Sequence, residues 1–103
     1  MSKYARRKDV NHNEIEAVFR QMLGDHVTDS SAWAGGAGDL FVSFGHFSTF
    51  IEIKRDSKAE YTAAQIRFRN THPNAVWRCE TIEEAAHQCK CIRSNATLLV
   101  VKL

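Results

Sequence analysis

Two short apolar segments, separated by only two residues, constrain the fold of this chain more than any other feature. Residues 40–44 (LFVSF) and 47–53 (FSTFIEI) are rich in aromatic and β-branched side chains, and Gly45 and His46 lie between them. This pattern predicts a β-hairpin. Both faces of the second strand carry apolar residues, which predicts a central strand covered on two sides. The alternation assigns one face to Thr49, Ile51 and Ile53, and the other to Phe50, Glu52 and Lys54.

Charged residues bracket this hairpin. Asp39 precedes the first strand, and Glu52 and Lys54 end the second. A charge in an apolar environment is costly unless it is paired or holds a metal ion. An ion pair between Glu52 and Lys54 would account for two of the charges but would leave Asp39 unexplained. We therefore expect the hairpin to bring Asp39 and Glu52 to one edge of the sheet, with the backbone carbonyl of Ile53 as a further oxygen.

Two carboxylates and a backbone carbonyl at one edge of a sheet are suited to binding a metal ion. Carboxylate and carbonyl oxygens are the ligands that Mg²⁺ and Mn²⁺ take in proteins, usually together with water and substrate phosphate. The ammonium of Lys54 lies on the same predicted face as Glu52, where it can stabilise charge that develops on a phosphoryl group. The pattern indicates metal-assisted hydrolysis of a phosphate ester.

The first helix is predicted over residues 11–24 (NHNEIEAVFRQMLG). Asn11 or Asn13 can cap its beginning, and Gly24 can end it. Its apolar residues follow the spacing of an amphipathic helix. They are Ile15, Val18, Phe19, Met22 and Leu23.

The second half of the chain contains two capping-box patterns, 62–65 (TAAQ) and 81–84 (TIEE), each of which predicts the start of a helix. The first of these helices is expected to end near Asn70. A strand is predicted at 75–80 (AVWRCE) and a closing strand at 97–103 (TLLVVKL). The last helix is expected to bury Ile82, Ala85, Ala86, Cys89 and Ile92. These predictions give an α/β fold, a mixed sheet flanked by helices in the order α-β-β-α-β-α-β.

Length and composition limit the alternatives. A chain of 103 residues favours one domain over residues 1–103, with a basic segment over about 1–10. No apolar run reaches the roughly 20 residues that cross a bilayer, and no signal-peptide pattern is present, so a cytoplasmic protein is expected. The net charge of +2 hardly favours nucleic acid by itself, but basic residues are clustered. The candidates for contacts with nucleic acid are Arg6, Arg7, Lys8, Arg55, Lys58 and Arg67.

Three cysteines fit reduced thiols better than a disulfide framework. His87, Cys89 and Cys91, with Cys79, also supply residue types that bind zinc. On a helix, however, Cys89 and Cys91 project from opposite faces and cannot share one tetrahedral ion. Core packing is therefore the simpler interpretation of Cys89.

Taken in order, these segments resemble the PD-(D/E)XK nucleases, and more specifically the phage-type, stand-alone virus-type replication-repair nuclease (VRR-NUC) group. The resemblance covers residues 9–86. It includes DVNHNEIE on the first helix, TDSS, GDLFV, FIEIK, YTAAQ and VWRCETIEEA. One position departs from the family pattern, because Gly38 stands where a proline usually precedes the aspartate.

The resemblance implies a restriction-endonuclease-like core and a role for each matching residue. Asp39 and Glu52 would bind Mg²⁺ or Mn²⁺ with the Ile53 carbonyl, and Lys54 would be the catalytic lysine. Gln65 matches the glutamine of the following helix. Family members hydrolyse DNA, and stand-alone ones resemble dimers that act on branched DNA such as Holliday junctions. A phage-encoded member would act in the cytoplasm of the host cell.

The acid carried by the first helix stays open between two residues. The resemblance selects Glu14 as a metal ligand, but Glu16 is the other candidate. Residues two apart on a helix point about 200° apart, so the two cannot both face one site. The alternative function is a DNA-binding module of the same fold without catalysis, which would use its basic segments on phosphates.

Overall fold

The structure, a computed structural model, describes residues 10–33 and 35–102. Within these residues the chain is a mixed α/β fold of three α-helices and a four-stranded sheet. The elements are α1 (Val10–Leu23), β1 (Val27–Asp29), β2 (Leu40–Phe44), β3 (Phe47–Ile53), α2 (Ala63–Thr71), β4 (Val76–Cys79) and α3 (Ile82–Lys102). The observed order is α-β-β-β-α-β-α.

The four strands lie side by side in the order of the chain. β1, β2 and β3 form an antiparallel meander, whereas β4 pairs in parallel with β3. The parallel pairing requires a crossover, which α2 provides. In the hairpin, Leu40 pairs with Ile51 and Phe44 pairs with Phe47. This register sets the beginning of β2 beside the end of β3.

The predicted hairpin is confirmed in its bounds and in its two faces. Thr49, Ile51 and Ile53 are buried on the face that α1 and α3 cover, and the core there is built from apolar residues of both helices. The core residues of these helices include Ile15, Phe19, Leu23, Ala85, Cys89 and Ile92. The opposite face is covered by rings, since Phe50 contacts Phe68 of α2 at 5.6 Å between centroids. β3 is therefore a strand covered on two sides.

Both predicted capping boxes lie at the start of a helix. Thr62 caps α2, and its side chain and that of Gln65 bond reciprocally to the backbone. At α3 the Thr81 hydroxyl accepts from the N–H of Glu84 at 3.0 Å, while the Glu84 carboxylate accepts from the N–H of Glu80. The first helix is also confirmed, although it begins at Val10, so Asn11 lies within it and is not its cap.

Two parts of the predicted order are wrong. The closing strand over 97–103 is absent from the described residues, because α3 continues through Lys102. Short apolar runs of Leu and Val do not distinguish a buried strand from a helix. The edge strand β1 was not predicted, because only Val27 of its three residues is buried. Ile82, predicted to be buried, is 41% exposed, since the first turn of α3 faces solvent.

Within the described ranges, no helix combines the length and apolar character that crossing a membrane requires.

Candidate active site

A cavity of about 620 Å³ opens where β2 begins and β3 ends. The loop before β2, the segment after β3 and the first turns of α1 and α2 form its walls. The residues predicted for the site that line it are Asp39, Glu52, Ile53, Lys54, Gln65 and Arg55. The structure thus brings together the predicted catalytic and metal-binding residues except Glu14.

Asp39 is held in place by the backbone of β3 and by the loop before it. Its N–H donates to the carbonyl of Ile51 at 2.9 Å, and its Oδ2 accepts from the N–H of Ile53 at 2.8 Å. On the other side, the N–H of Ser30 donates to the Asp39 carbonyl and the Ser30 hydroxyl donates to the carbonyl of Gly38.

Glu52 is the acidic residue of the site that is buried. The residue is only 5% exposed. Burial, and then the negative charge of Asp39, raise its pKa from 4.5 to about 7, while the nearby Lys54 ammonium opposes the rise. Two carboxylates that face each other in a low-dielectric environment favour either a shared proton or a bound cation. At neutral pH the Glu52 carboxyl can therefore either keep its proton or lose it and bind a cation.

Gln65 connects the charged residues to the start of α2. Its Oε1 accepts from the Lys54 ammonium at 3.1 Å and from the N–H of Thr62 at 2.9 Å, and its Nε2 donates to Glu52 Oε2 at 3.0 Å. Lys54 Nζ lies 3.3 Å from the same Glu52 oxygen. The amide orientation is unambiguous, because each end has a partner of the opposite polarity. Gln65 thus serves both the helix cap and the site.

The segment that follows Lys54 is anchored from two directions. Asn11 of α1 directs its amide nitrogen at the carbonyls of Lys54, Arg55 and Glu80, at 3.2 to 3.4 Å. Arg78 of β4 donates to two further carbonyls of the segment at 2.8 Å. Because these contacts hold the backbone, the Lys54 side chain stays at the cavity, where its exposed fraction is only 13%.

The donor set fits a hard divalent cation. Among the described residues, no group of three or more His, Cys, Asp or Glu side chains is arranged to hold a metal. Mg²⁺ does not need such a group, because it commonly binds through one or two carboxylates and completes its shell with water and phosphate oxygens. Asp39 and Glu52 supply two carboxylates on one cavity, and Ile53 lines the cavity although its side chain lies in the core.

The structure does not bring Glu14 into this cavity. Glu14 is exposed and α1 instead presents Asn11 and His12 to the cavity wall. His12 is 8% exposed, and its Nε2 lies 3.7 Å from Glu16. The Glu16 carboxylate also bonds to Arg20 at 2.9 Å, and Glu16 is not part of the cavity wall.

The sequence analysis did not identify His12 as a site residue, although the helical spacing of α1 indicates it. His12 precedes the buried Ile15 by three residues and Phe19 by seven, so it continues the apolar stripe of α1 to the site.

The candidate DNA-contacting residues are distributed unevenly. Arg55 lines the cavity, and 66% of its side chain is exposed. Lys58 and Arg67 are exposed but lie outside the cavity wall. The remaining candidates lie outside the described residues; they are Arg6, Arg7 and Lys8.

The three cysteines are not arranged as a metal-binding group in the described part of the chain. Burial raises the pKa of Cys79 to about 12 and that of Cys89 to about 11, so both thiols stay protonated at neutral pH. His87 and Cys91 are neighbours on α3 at 3.6 Å. In the described part of the chain they do not belong to a metal-binding group of three or more residues. Core packing accounts for Cys79 and Cys89.

No protein-family model matches the chain, and no curated protein matches it either.

Proposed function

We propose that this chain is a metal-dependent DNA endonuclease with a restriction-endonuclease-like core, as its resemblance to the VRR-NUC group implies. One observation carries the proposal. Asp39 precedes β2, Glu52 lies in β3, Lys54 follows β3 and Gln65 lies in α2, yet all four line one cavity. Two hydrogen bonds and one ion pair join Glu52, Lys54 and Gln65 directly. An acid buried beside a second acid and a lysine is a costly arrangement that a purely structural role does not require.

In this proposal Asp39 and Glu52 hold Mg²⁺ or Mn²⁺ together with the carbonyl of Ile53. A bound cation of this kind supplies Lewis-acid stabilisation of phosphoryl charge. Glu52 must lose its proton to act as a ligand, and its pKa of about 7 allows this at physiological pH. The Ile53 N–H, which bonds to Asp39 Oδ2, fixes the orientation of that carboxylate.

Lys54 has the role of placing positive charge at the phosphate under attack. Its ammonium is held by Gln65 Oε1 and Glu52 Oε2, so little reorganisation is needed when the phosphodiester develops charge. Gln65 is a positioning residue, because it contacts both charged groups. Arg55, at the cavity mouth, would bind a neighbouring phosphate of the DNA backbone.

The proposal extends to the substrate and the assembly. Lys58 and Arg67, with Arg6, Arg7 and Lys8, would contact phosphates farther from the cavity. Cutting both strands of a junction with one site per chain needs two copies, so a homodimer with a two-fold axis is expected. Light scattering at micromolar concentration tests this expectation, and a monomer would contradict it.

The activity test uses labelled four-way junction, flap and linear duplex DNA, in Mg²⁺, Mn²⁺ and EDTA. Asp39→Asn and Lys54→Ala are each expected to lower the cleavage rate by about 100-fold or more. Asn at position 39 still offers an oxygen to the Ile53 N–H, so this variant should fold. Glu14→Gln is the matched variant, which removes an acid that lies exposed outside the cavity.

Each result has a defined meaning. Metal-dependent cutting that both site variants lose, and that Glu14→Gln retains, supports the nuclease with Asp39 and Glu52 as its acids. Loss of cutting in Glu14→Gln would restore the helix-borne acid to the site. Tight DNA binding without cutting in any metal would instead favour the alternative, a binding module without catalysis.

A further inference from the structure

Trp33 is the large apolar side chain at the mouth of the cavity. In the described residues, the large hydrophobic side chains that are exposed are those of Trp33, Ile66 and Ile82. Trp33 is 47% exposed, and of the three it alone lines the cavity that contains Asp39 and Glu52. An exposed indole is uncommon enough, beside a cluster of charges, to need an explanation.

The indole of Trp33 packs against two phenylalanine rings. Its centroid lies 5.7 Å from that of Phe41 and 5.9 Å from that of Phe50, and these two rings contact each other at 5.1 Å. Phe50 in turn packs edge-on against Phe68 of α2. One side of Trp33 is thus held by a stack of rings while much of its surface remains open to solvent.

Backbone hydrogen bonds connect Trp33 to Asp39, the proposed metal ligand. The N–H of Trp33 donates to the carbonyl of Ser30 at 2.9 Å, and Ser30 is itself bonded to the backbone of Gly38 and Asp39. The supporting ring of Phe50 lies two residues before Glu52 on the same face of β3. Trp33 is therefore positioned relative to both acids.

On the basis of the proposed function, we propose that Trp33 stacks on an unpaired nucleobase next to the phosphate that is cleaved, so the substrate is DNA with a single-stranded base at the site. A base within a duplex has both of its faces covered by its neighbours, whereas a base in a flap, a gap or a junction centre offers a free face. Aromatic side chains beside a basic groove bind such bases without sequence preference.

The surrounding charges favour nucleic acid over a second copy of the chain as the occupant. Lys54 and Arg55 line the same cavity as Trp33, together with the acids Asp39, Glu52 and Glu60. Lys54 would meet the cleaved phosphate, and Arg55 a neighbouring phosphate beside the stacked base. A protein partner would have to cover these charges together with Asp39 and Glu52. A nucleotide offers an apolar ring face and an anionic backbone in the required proximity.

The test measures binding without cleavage. In an Asp39→Asn background and in EDTA, we would titrate a labelled single-stranded oligonucleotide, a blunt duplex of the same sequence and the duplex with a 5′ flap, and follow both anisotropy and intrinsic tryptophan fluorescence. Trp33→Leu removes the indole, Trp33→Phe keeps a smaller ring, and Ile66→Ala is the matched control with the same exposure outside the cavity.

We expect Trp33→Leu to weaken binding of the single strand and the flap by about 5- to 150-fold, which is what one base–aromatic stack contributes. The blunt duplex should change much less, Trp33→Phe should recover part of the loss, and Ile66→Ala should bind normally. Quenching of fluorescence by the single strand should disappear in Trp33→Leu.

Three outcomes would overturn the inference. One is equal affinity of parent and Trp33→Leu for every DNA, and another is an equal loss of affinity for duplex and single strand. The third is a change in the molar mass of Trp33→Leu by light scattering with no change in DNA affinity, which would assign the ring to contact between copies. The proposed nuclease activity fails separately, if the chain with Asp39 intact binds DNA but never cuts it.

Discussion

The buried carboxyl of Glu52 makes the stability of this protein depend on pH in an uncommon direction. Its pKa is about 7 in the folded chain and 4.5 as the reference for the unfolded chain. Between these values the folded state binds more protons than the unfolded state, so the free energy of unfolding falls as pH rises through this window. Most acidic residues have the opposite effect, because they are paired and their pKa is lowered on folding.

The size of the effect follows from the shift. At about 1.36 kcal/mol per pKa unit, the rise from 4.5 to about 7 corresponds to up to about 3 kcal/mol of unfolding free energy lost between about pH 5 and about pH 8. The expected loss is a large part of the stability of a domain of this size.

Urea unfolding in EDTA over this pH range, with wild type and Glu52→Gln, measures the loss. The useful quantity is the difference between the two unfolding free energies, since titratable groups that do not interact with Glu52 contribute equally to both. Glu52→Gln should gain up to about 3 kcal/mol relative to wild type as pH rises, whatever constant offset arises from its lost contact with Lys54. Glu14→Gln, an exposed carboxylate outside the cavity, is the control for removing one negative charge.

A difference curve that stays flat within about 0.5 kcal/mol, or that moves against Glu52→Gln as pH rises, would refute the reasoning. In the proposed metal site, the proton on Glu52 would compete with the bound cation. In wild type, the affinity for Mn²⁺ should therefore rise by up to about tenfold per pH unit below about pH 7 and then level off.

Two further predictions concern the residues around the site. Gln65→Met keeps the length of the side chain but loses its hydrogen bonds to Glu52 and Lys54. We expect the cleavage rate to fall by about 10- to 100-fold and the melting temperature by a few degrees. A wild-type cleavage rate would show that Gln65 does not position the proposed catalytic groups. Gly36→Ala places a Cβ 2.8 Å from the backbone of α2 at a φ of +70°, and should destabilise the fold by more than Gly35→Ala, whose Cβ meets its nearest neighbour at 4.0 Å. Equal melting temperatures for the two alanine variants would show that the close approach is relaxed at little cost.

The sequence alone predicted the parts of the fold that rest on local chemistry. The hairpin was predictable because its residue types, its alternation and its two-residue turn all indicate the same structure. That hairpin in turn predicted the meeting of Asp39 and Glu52, because the register of two paired strands determines which residues lie side by side.

The parts that failed depended on packing. The segment after residue 96 has the composition of a strand, but it continues α3, since the residue types leave both structures open. Packing also explains why His12, and not Glu14, lines the cavity. The resemblance to a nuclease family selected the acid by its position in a motif, whereas the direction in which each side chain of α1 points depends on how that helix packs on the sheet.

The reciprocal cap at the start of α2 has a consequence for how the site persists. None of the nine residues of α2 is buried, and a helix of that length is marginal by itself, so its first turn depends on the bonds between Thr62 and Gln65. Gln65 also holds Glu52 and Lys54. Local unfolding of this turn would therefore also separate Glu52, Lys54 and Gln65, so opening of the turn and disassembly of the proposed site are coupled. A substrate or cation that engages Glu52 and Lys54 would, by the same linkage, slow amide exchange in the turns of α2 that lie beyond the cavity wall.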